Sequence, residues 1–278
     1  MGINTSAVKV FLIDNDRQPF TGDLLTLGKQ DVFVTPEVMK RTFDQYDREV
    51  AVDQNVPVFS QKPGFVEGRF ITDEYLFSAL GFDRTESMDA SDYESADHVL
   101  DLNQVETPPE YCDRWDTIFD GGTVEHIFNV PNALANLGRM VKVGGRIVHI
   151  APSSNHIDHG FYMFSPTLFW DYYKANGYDV NVCQVFRYHA SDPYDGKWAV
   201  SDYIPGGLTR VSMGGLDDGM YGVILIATKK EGSTYTKVPQ QGLYSTIKWK
   251  GNEPDQDIPG LKKNFKGSGL GLSVLYRL

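Results

Sequence analysis

Residues 115–151 constrain this chain most: an apolar run, an acidic Gly-bearing turn, a long amphipathic pattern and a second apolar run follow one another directly. Trp115–Phe119 (WDTIF) has the length and composition of a buried strand and runs into Asp120-Gly121-Gly122. From Val124 to Val141, the residues Ile127, Val130, Leu134, Leu137 and Val141 recur at i, i+3, i+7, i+10 and i+14, which is one face of an amphipathic helix. Gly144-Gly145 terminate that pattern, and Arg146–Ala151 (RIVHIA) reads as a strand again. Such strand–helix–strand alternation predicts a mostly parallel sheet with helices on both faces.

The pattern extends in both directions. Asp23–Leu27 (DLLTL) is a short strand that stops at Gly28-Lys29-Gln30, and Pro36 opens a helical pattern over Glu37–Val50. Residues 51–74 mix Pro57, Pro63, Gly64 and Gly68 with Phe59, Phe65 and Phe70 and read as irregular; Asp73–Leu80 is a short helix ended by Gly81. Arg84–Asp89 and His98–Leu102 are strands, Pro166–Asn176 is a helix stopped at Gly177, and Val180–Arg187 and Tyr221–Thr228 (YGVILIAT) close the series. Residues 190–219, rich in Gly, Asp and Pro, read as loop. The expected architecture is a doubly wound, Rossmann-like α/β domain over 1–230 with an insertion at about 51–82, then a C-terminal extension over 231–278.

The formal net charge of −11 argues against nucleic acid as a partner, because neutralising phosphates takes clustered Lys and Arg. Residues 229–278 carry nine Lys/Arg and four Asp/Glu, which reads as a mildly basic solvated segment. Cys112 and Cys183 fit no metal spacing. No basic-led apolar stretch opens the chain and no run of about 18 apolar residues occurs, so a reduced, cytoplasmic protein that binds no membrane is expected. A homodimer is left open.

Ligands of such sheets bind at the carboxyl ends of the strands. Here those ends carry Gly28, Asp89, Asp101, Asp120 and Pro152-Ser153-Ser154. The first turn, Leu27-Gly28-Lys29-Gln30, has one glycine and matches neither GxGxxG nor GxxxxGK[ST], which disfavours a pyrophosphate cofactor and leaves a nucleoside-like ligand. Asp89 suits a ribose diol, since one carboxylate accepts two hydrogen bonds. Asp101 with Leu102 and Asn103 suits an adenine amino group and its ring. The competing reading is that these Asp and Asn residues are ordinary loop and cap residues. Gly267–Gly271 (GSGLG) lacks the flanking strand and helix of a phosphate loop.

With Asp116, Asp120, Val124-Glu125-His126, Leu134, Leu137, Lys142-Val143-Gly144-Gly145 and Pro152, the segment 115–152 resembles the class I S-adenosylmethionine-dependent methyltransferases, of the kind that act on small molecules or sugars. The resemblance extends weakly over about residues 22–230. Leu27-Gly28-Lys29-Gln30 looks like a degenerate form of the family's Gly-rich first motif, and Asp89 and Asp101 resemble its second and third. It implies that Leu27, Gly28, Lys29, Gln30, Asp89, Asp101, Leu102, Asn103, Asp120 and Gly121 hold S-adenosylmethionine and that the 51–82 insertion is a lid.

The stretch SSNHIDHGFYMFSP resembles a substrate-facing loop of small-molecule methyltransferases, which makes Asn155, His156, Tyr162 and the nearby Glu125 candidate acceptor contacts. An acceptor hydroxyl needs a base, and histidine titrates near neutrality. His159 is the first candidate and His126 the second. His156-x-Asp158-His159 with Glu125 or Asp120 also offers ligands for a divalent metal, although such loop clusters often hold none. The expected function is methyl transfer to a small-molecule or sugar-like acceptor, at oxygen. The alternatives are a non-catalytic methyltransferase-like binding protein and, on weaker grounds, a nicotinamide oxidoreductase.

Overall fold

The computed structural model describes residues 2–50, 70–92, 94–189 and 197–242, with the backbone of a short antiparallel pair, Trp249–Lys250 and Glu253–Pro254. Eight strands form one sheet: β1 (Asp23–Leu27), β2 (Arg84–Asp89), β3 (His98–Val99), β4 (Trp115–Asp120), β5 (Val141–Pro152), β6 (Asp179–Tyr188), β7 (Ala199–Asp202) and β8 (Met220–Thr228). Their order is β3-β2-β1-β4-β5-β8-β6-β7. The five strands from β3 to β5 pair in parallel; β8 then runs antiparallel between β5 and β6, and β7 is antiparallel to β6. The reversal of strand order between β1 and β4 is the topological switch point of a doubly wound sheet, the place where such folds open a ligand crevice.

Alternate strand residues feed two cores. Leu24, Phe119, Val148, Ile150, Ile224 and Ile226 face one layer, built from α1 (Thr5–Arg17), α2 (Pro36–Asp44) and α3 (Asp73–Leu80). Leu25, Ile118, Ile147, Val223 and Leu225 face the other, built from α4 (Val130–Met140) and α5 (Pro166–Ala175). The doubly wound, mostly parallel sheet with helices on both faces is therefore as expected. No helix among the described residues is long and apolar enough to cross a membrane. Both cysteines are free.

Several boundaries depart from the sequence reading. The helix expected over 124–141 begins only at Val130, with Val124–His126 a separate 3-10 turn. Pro131 is the reason: it has no N–H to give and its ring crowds the preceding turn, so it is tolerated only at a helix start. β5 starts at Val141 and takes in Lys142-Val143-Gly144-Gly145 through a register shift against β4. The helix expected over 37–50 stops at Asp44, the strand over 98–102 at Val99, and β7 interrupts the segment expected to be loop. Of the 51–82 insertion, 51–69 lie outside the described residues; Leu76, Phe77 and Leu80 of α3 are buried in the core. The extension beyond residue 230 starts by crossing the α4/α5 layer, where Asn176 bonds to Thr234 and Lys237 and the Arg139 guanidinium lies 4.6 Å from the Tyr235 ring centre.

Helix α1 is absent from the sequence reading, although Asn4 caps it and Val8, Phe11 and Leu12 mark its apolar face. It is tied to the sheet by a buried ion pair. Arg146 Nη1 on β5 donates to Asp14 Oδ2 at 2.6 Å and to the Gln18 carbonyl at 2.9 Å, while its guanidinium lies over Phe20. Arg17 pairs with the same carboxylate. Removing one partner of such a pair leaves an uncompensated buried charge. Asp14→Ala is expected to cost about 3–5 kcal/mol in chemical denaturation, and Asp14→Leu combined with Arg146→Met to recover most of it.

Candidate functional site

At the carboxyl ends of β1, β2 and β4 lies a cavity of about 540 Å³, within the range of small-molecule sites. Its lining includes Leu27, Gly28, Lys29, Gln30, Asp89, Asp101, Leu102, Asn103, Gly121, His126 and His159. Eleven of the residues singled out from the sequence therefore meet around one space. Asp120, Glu125, Asn155, His156 and Tyr162 are not in that lining.

The first turn is built to leave backbone exposed. Gly28 has φ +70°, a conformation that side chains rarely adopt, and its N–H donates to the Met88 carbonyl at 2.7 Å. A Cβ there would lie 3.6 Å from Asp89 Oδ2, so the glycine and the β2 acid are neighbours on the cavity wall. Gln30 spends its side chain on the turn itself, donating to the Leu27 and Gly28 carbonyls at 2.9 and 3.2 Å. It packs so closely on Gly121 that a Cβ on that glycine would lie 2.2 Å from Oε1. Gln30 thus shapes the wall and offers little to a ligand.

Asp89 is half-buried; its Oδ1 accepts from the Ser91 N–H. Asp101 Oδ1 accepts from both nitrogens of Asn103, and Asn103 in turn accepts the Asn129 N–H that opens α4. Asn136, fully buried on α4, donates to the Leu102 and Gln104 carbonyls. The 101–104 turn is therefore held from below by a helix.

Asp120 proves to be support for the cavity and not part of its wall. It is fully buried; Oδ1 accepts the N–H groups of Thr123 and Val124 at 2.9 and 3.2 Å, and Oδ2 lies 2.7 Å from His149 Nδ1. His149 Nε2 is 2.7 Å from the Tyr173 hydroxyl. Thr123 Oγ1 donates to the Leu27 carbonyl at 2.7 Å, so this chain of contacts fastens the 120–123 turn to the end of β1. Burial alone would raise the Asp120 pKa, but the bonds from His149 and the two N–H groups outweigh it and hold the carboxyl below the usual range. The sequence reading passed over His149 and Tyr173. The available signal was a histidine in an apolar strand, which has to find a partner.

Glu125 is also fully buried, and among the described residues neither of its carboxylate oxygens finds a hydrogen-bond partner. His159 Nε2 is 3.4 Å and His126 Nε2 3.9 Å from its Oε1, close without hydrogen-bond geometry. Burial, then the neighbouring Asp120 charge, push the Glu125 carboxyl up to about 8. His126 and His159 are both lowered, chiefly by burial, and their rings are 5.1 Å apart. The 156–162 loop can reach Glu125 because of Gly160, where a Cβ would come within 2.9 Å of the Glu125 carbonyl.

His156 lies behind His159, buried, with its pKa pushed down to about 4 by burial and by His159, and it faces the Tyr188 hydroxyl. Asn155 is turned away, donating to the Asp217 and Gly219 carbonyls. Tyr162 donates to the Phe128 carbonyl beside an exposed Phe128–Phe161 contact. His126 lies in the 3-10 turn and not at the start of a helix.

No protein-family model matches the sequence, and no curated protein matches it. Solved structures do. The chain is similar to 1,6-didemethyltoxoflavin-N1-methyltransferase of Burkholderia thailandensis, at 11% identity and TM-score 0.39, over 81% of this chain and 78% of that one. It is also similar to a TehB-like SAM-dependent methyltransferase of Corynebacterium glutamicum, at 14% identity and TM-score 0.39, over 80% and 88% of the two chains. The YcgJ protein of Bacillus subtilis is 10% identical, with TM-score 0.41 over 81% and 98%. The likeness is one of fold. Strand order and register carry the fold assignment.

Asp120→Asn is expected to lose about 1.5–3 kcal/mol at neutral pH, the worth of hydrogen bonds to a buried charge. Because the folded state lowers this pKa, the stabilisation is complete above the unfolded value, near pH 4, and fades as pH falls through the folded one. The gap between wild type and variant in denaturant midpoint should therefore close in acid.

Proposed function

We propose that this protein transfers the methyl group of S-adenosylmethionine to an oxygen of a small-molecule or sugar-like acceptor. The observation that carries the reading is the convergence of the Gly28 turn, Asp89, the 101–103 turn and Gly121 on one cavity with two imidazoles at its edge. The pattern suits a nucleoside. Among the described residues none donates to Asp89 Oδ2, which fits a ribose diol; Leu100, Leu102 and Met88 offer apolar cover for a base. The Gly28 turn, at φ +70°, presents backbone to the cavity where the amino-acid portion would lie. Residues 28–35 separate β1 from α2, so no helix N-terminus opens at Gly28 to receive a pyrophosphate, which weighs against a nicotinamide cofactor.

Bound there, S-adenosylmethionine would supply an electrophilic methyl carbon. The chain's own task is to align the acceptor in line and exclude water. An acceptor hydroxyl held there would have to give up its proton as the methyl group is supplied, and a base of this chain would take it. His159, in the half-exposed loop facing Glu125, suits that role best; His126 is the second choice. Glu125 acts on both from behind, and His156 and Tyr162 shape the loop that meets the acceptor.

Isothermal titration with S-adenosylhomocysteine should show micromolar binding, and Asp89→Ala should weaken it at least about 10-fold, the worth of one good charged hydrogen bond. Unchanged affinity in Asp89→Ala, or no binding at millimolar ligand, would overturn the reading.

A further inference from the structure

We propose that Glu125, His126 and His159 form a divalent-cation site at the edge of the cavity, ligated through one carboxylate oxygen and the two Nε2 atoms. Three observations converge on it. Among the described residues, these three side chains bring ligand atoms within 4.8 Å of one another. Glu125 is 0% exposed, yet both its oxygens lack a hydrogen-bond partner among those residues. A buried carboxylate in that condition is costly unless something compensates it, and a cation does so directly. The third observation is spacing. Two donors bound about 2.1 Å from one ion at a tetrahedral angle lie about 3.4 Å apart. The Glu125 Oε1 to His159 Nε2 distance is 3.4 Å, and that to His126 Nε2 is 3.9 Å, so small side-chain rotations complete the set.

The donor set selects the ion. Two imidazoles and one carboxylate suit zinc or a first-row transition metal; magnesium and calcium prefer oxygen-only shells. Three protein ligands leave at least one open position, the pattern of a reactive site more than a structural one. His126 and His159 line the cavity, so an open position facing it would meet a ligand held there. What occupies that position rests on the methyl-transfer reading: an acceptor oxygen, whose hydroxyl ionises on coordination and releases its proton to solvent. In the metal-loaded protein both imidazoles are then ligands, and coordination takes over the task of the free base. This differs from the metal set weighed from the sequence, since Asp158 is exposed, His156 is turned to Tyr188 and Asp120 is committed to His149.

The test uses the full chain without an affinity tag, stripped with chelator and titrated with cobalt(II) chloride while its visible absorption is followed. Saturation at one equivalent with low-symmetry cobalt bands is expected. Glu125→Gln and His126→Ala should each weaken binding at least about 10-fold. The half-exposed position of His126 makes its variant the safer one to fold, and a melting curve checks both. A spectrum that stays that of aqueous cobalt, or variants that saturate like wild type, would overturn the site. Titrating the stripped protein with S-adenosylhomocysteine separates the two ideas: binding of that compound without a cobalt site sinks this inference alone, and a cobalt site without that binding sinks the methyl-transfer reading alone.

Discussion

The Asp120 carboxylate is the constraint on which the ligand end of this sheet depends. It sits at the last residue of a central strand, fully buried, and three groups compete to satisfy it. Two of them are N–H groups of the following turn, which fixes that turn's direction; the third is His149 on the adjacent strand, opposite it in register. Through Thr123 the same turn is fastened to the end of β1. One negative charge therefore sets the relative position of the two cavity walls on either side of the switch point, and its field is one reason the neighbouring Glu125 resists ionisation.

A division of labour follows between residues that face a ligand and residues that hold those residues still. Gly28, Asp89 and Leu102 face the cavity. Gln30, Asn103, Asn136 and Thr123 spend their polar atoms on backbone. The second group explains how a first turn with a single glycine can still be well defined: Gln30 does by side-chain bonding what additional glycines do elsewhere by backbone freedom.

Much of this was legible in the sequence. Parallel topology requires strand ends to gather on one side, so locating Asp23–Leu27, Arg84–Asp89, the strand that starts at His98, and Trp115–Phe119 was enough to bring Gly28, Asp89, Asp101 and Gly121 together. The misses have physical causes. Helical spacing of apolar residues continues across Pro131, and only the missing N–H shows that the helix must start later. Asp14 and Arg146 are 132 residues apart, and nothing local announces their pairing. Asp120 looked like a ligand-facing acid because a strand-end carboxylate is the same in sequence whether it points outward or down; its partner, His149, is assigned only by register. Glu125 and His159 meet because Gly160 allows a close approach, which spacing alone does not reveal.

The placement of β8 has a consequence for how the protein is made. This strand lies between β5 and β6, yet it is the last of the eight to be synthesised. Until residues 220–228 emerge from the ribosome, β5 and β6 each have an unpaired edge of apolar sequence, and such edges invite pairing with other chains. The nascent chain thus carries two half-sheets that only its closing strand can join. Translation speed and chaperone access before that point should therefore affect how much of this protein is recovered in soluble form.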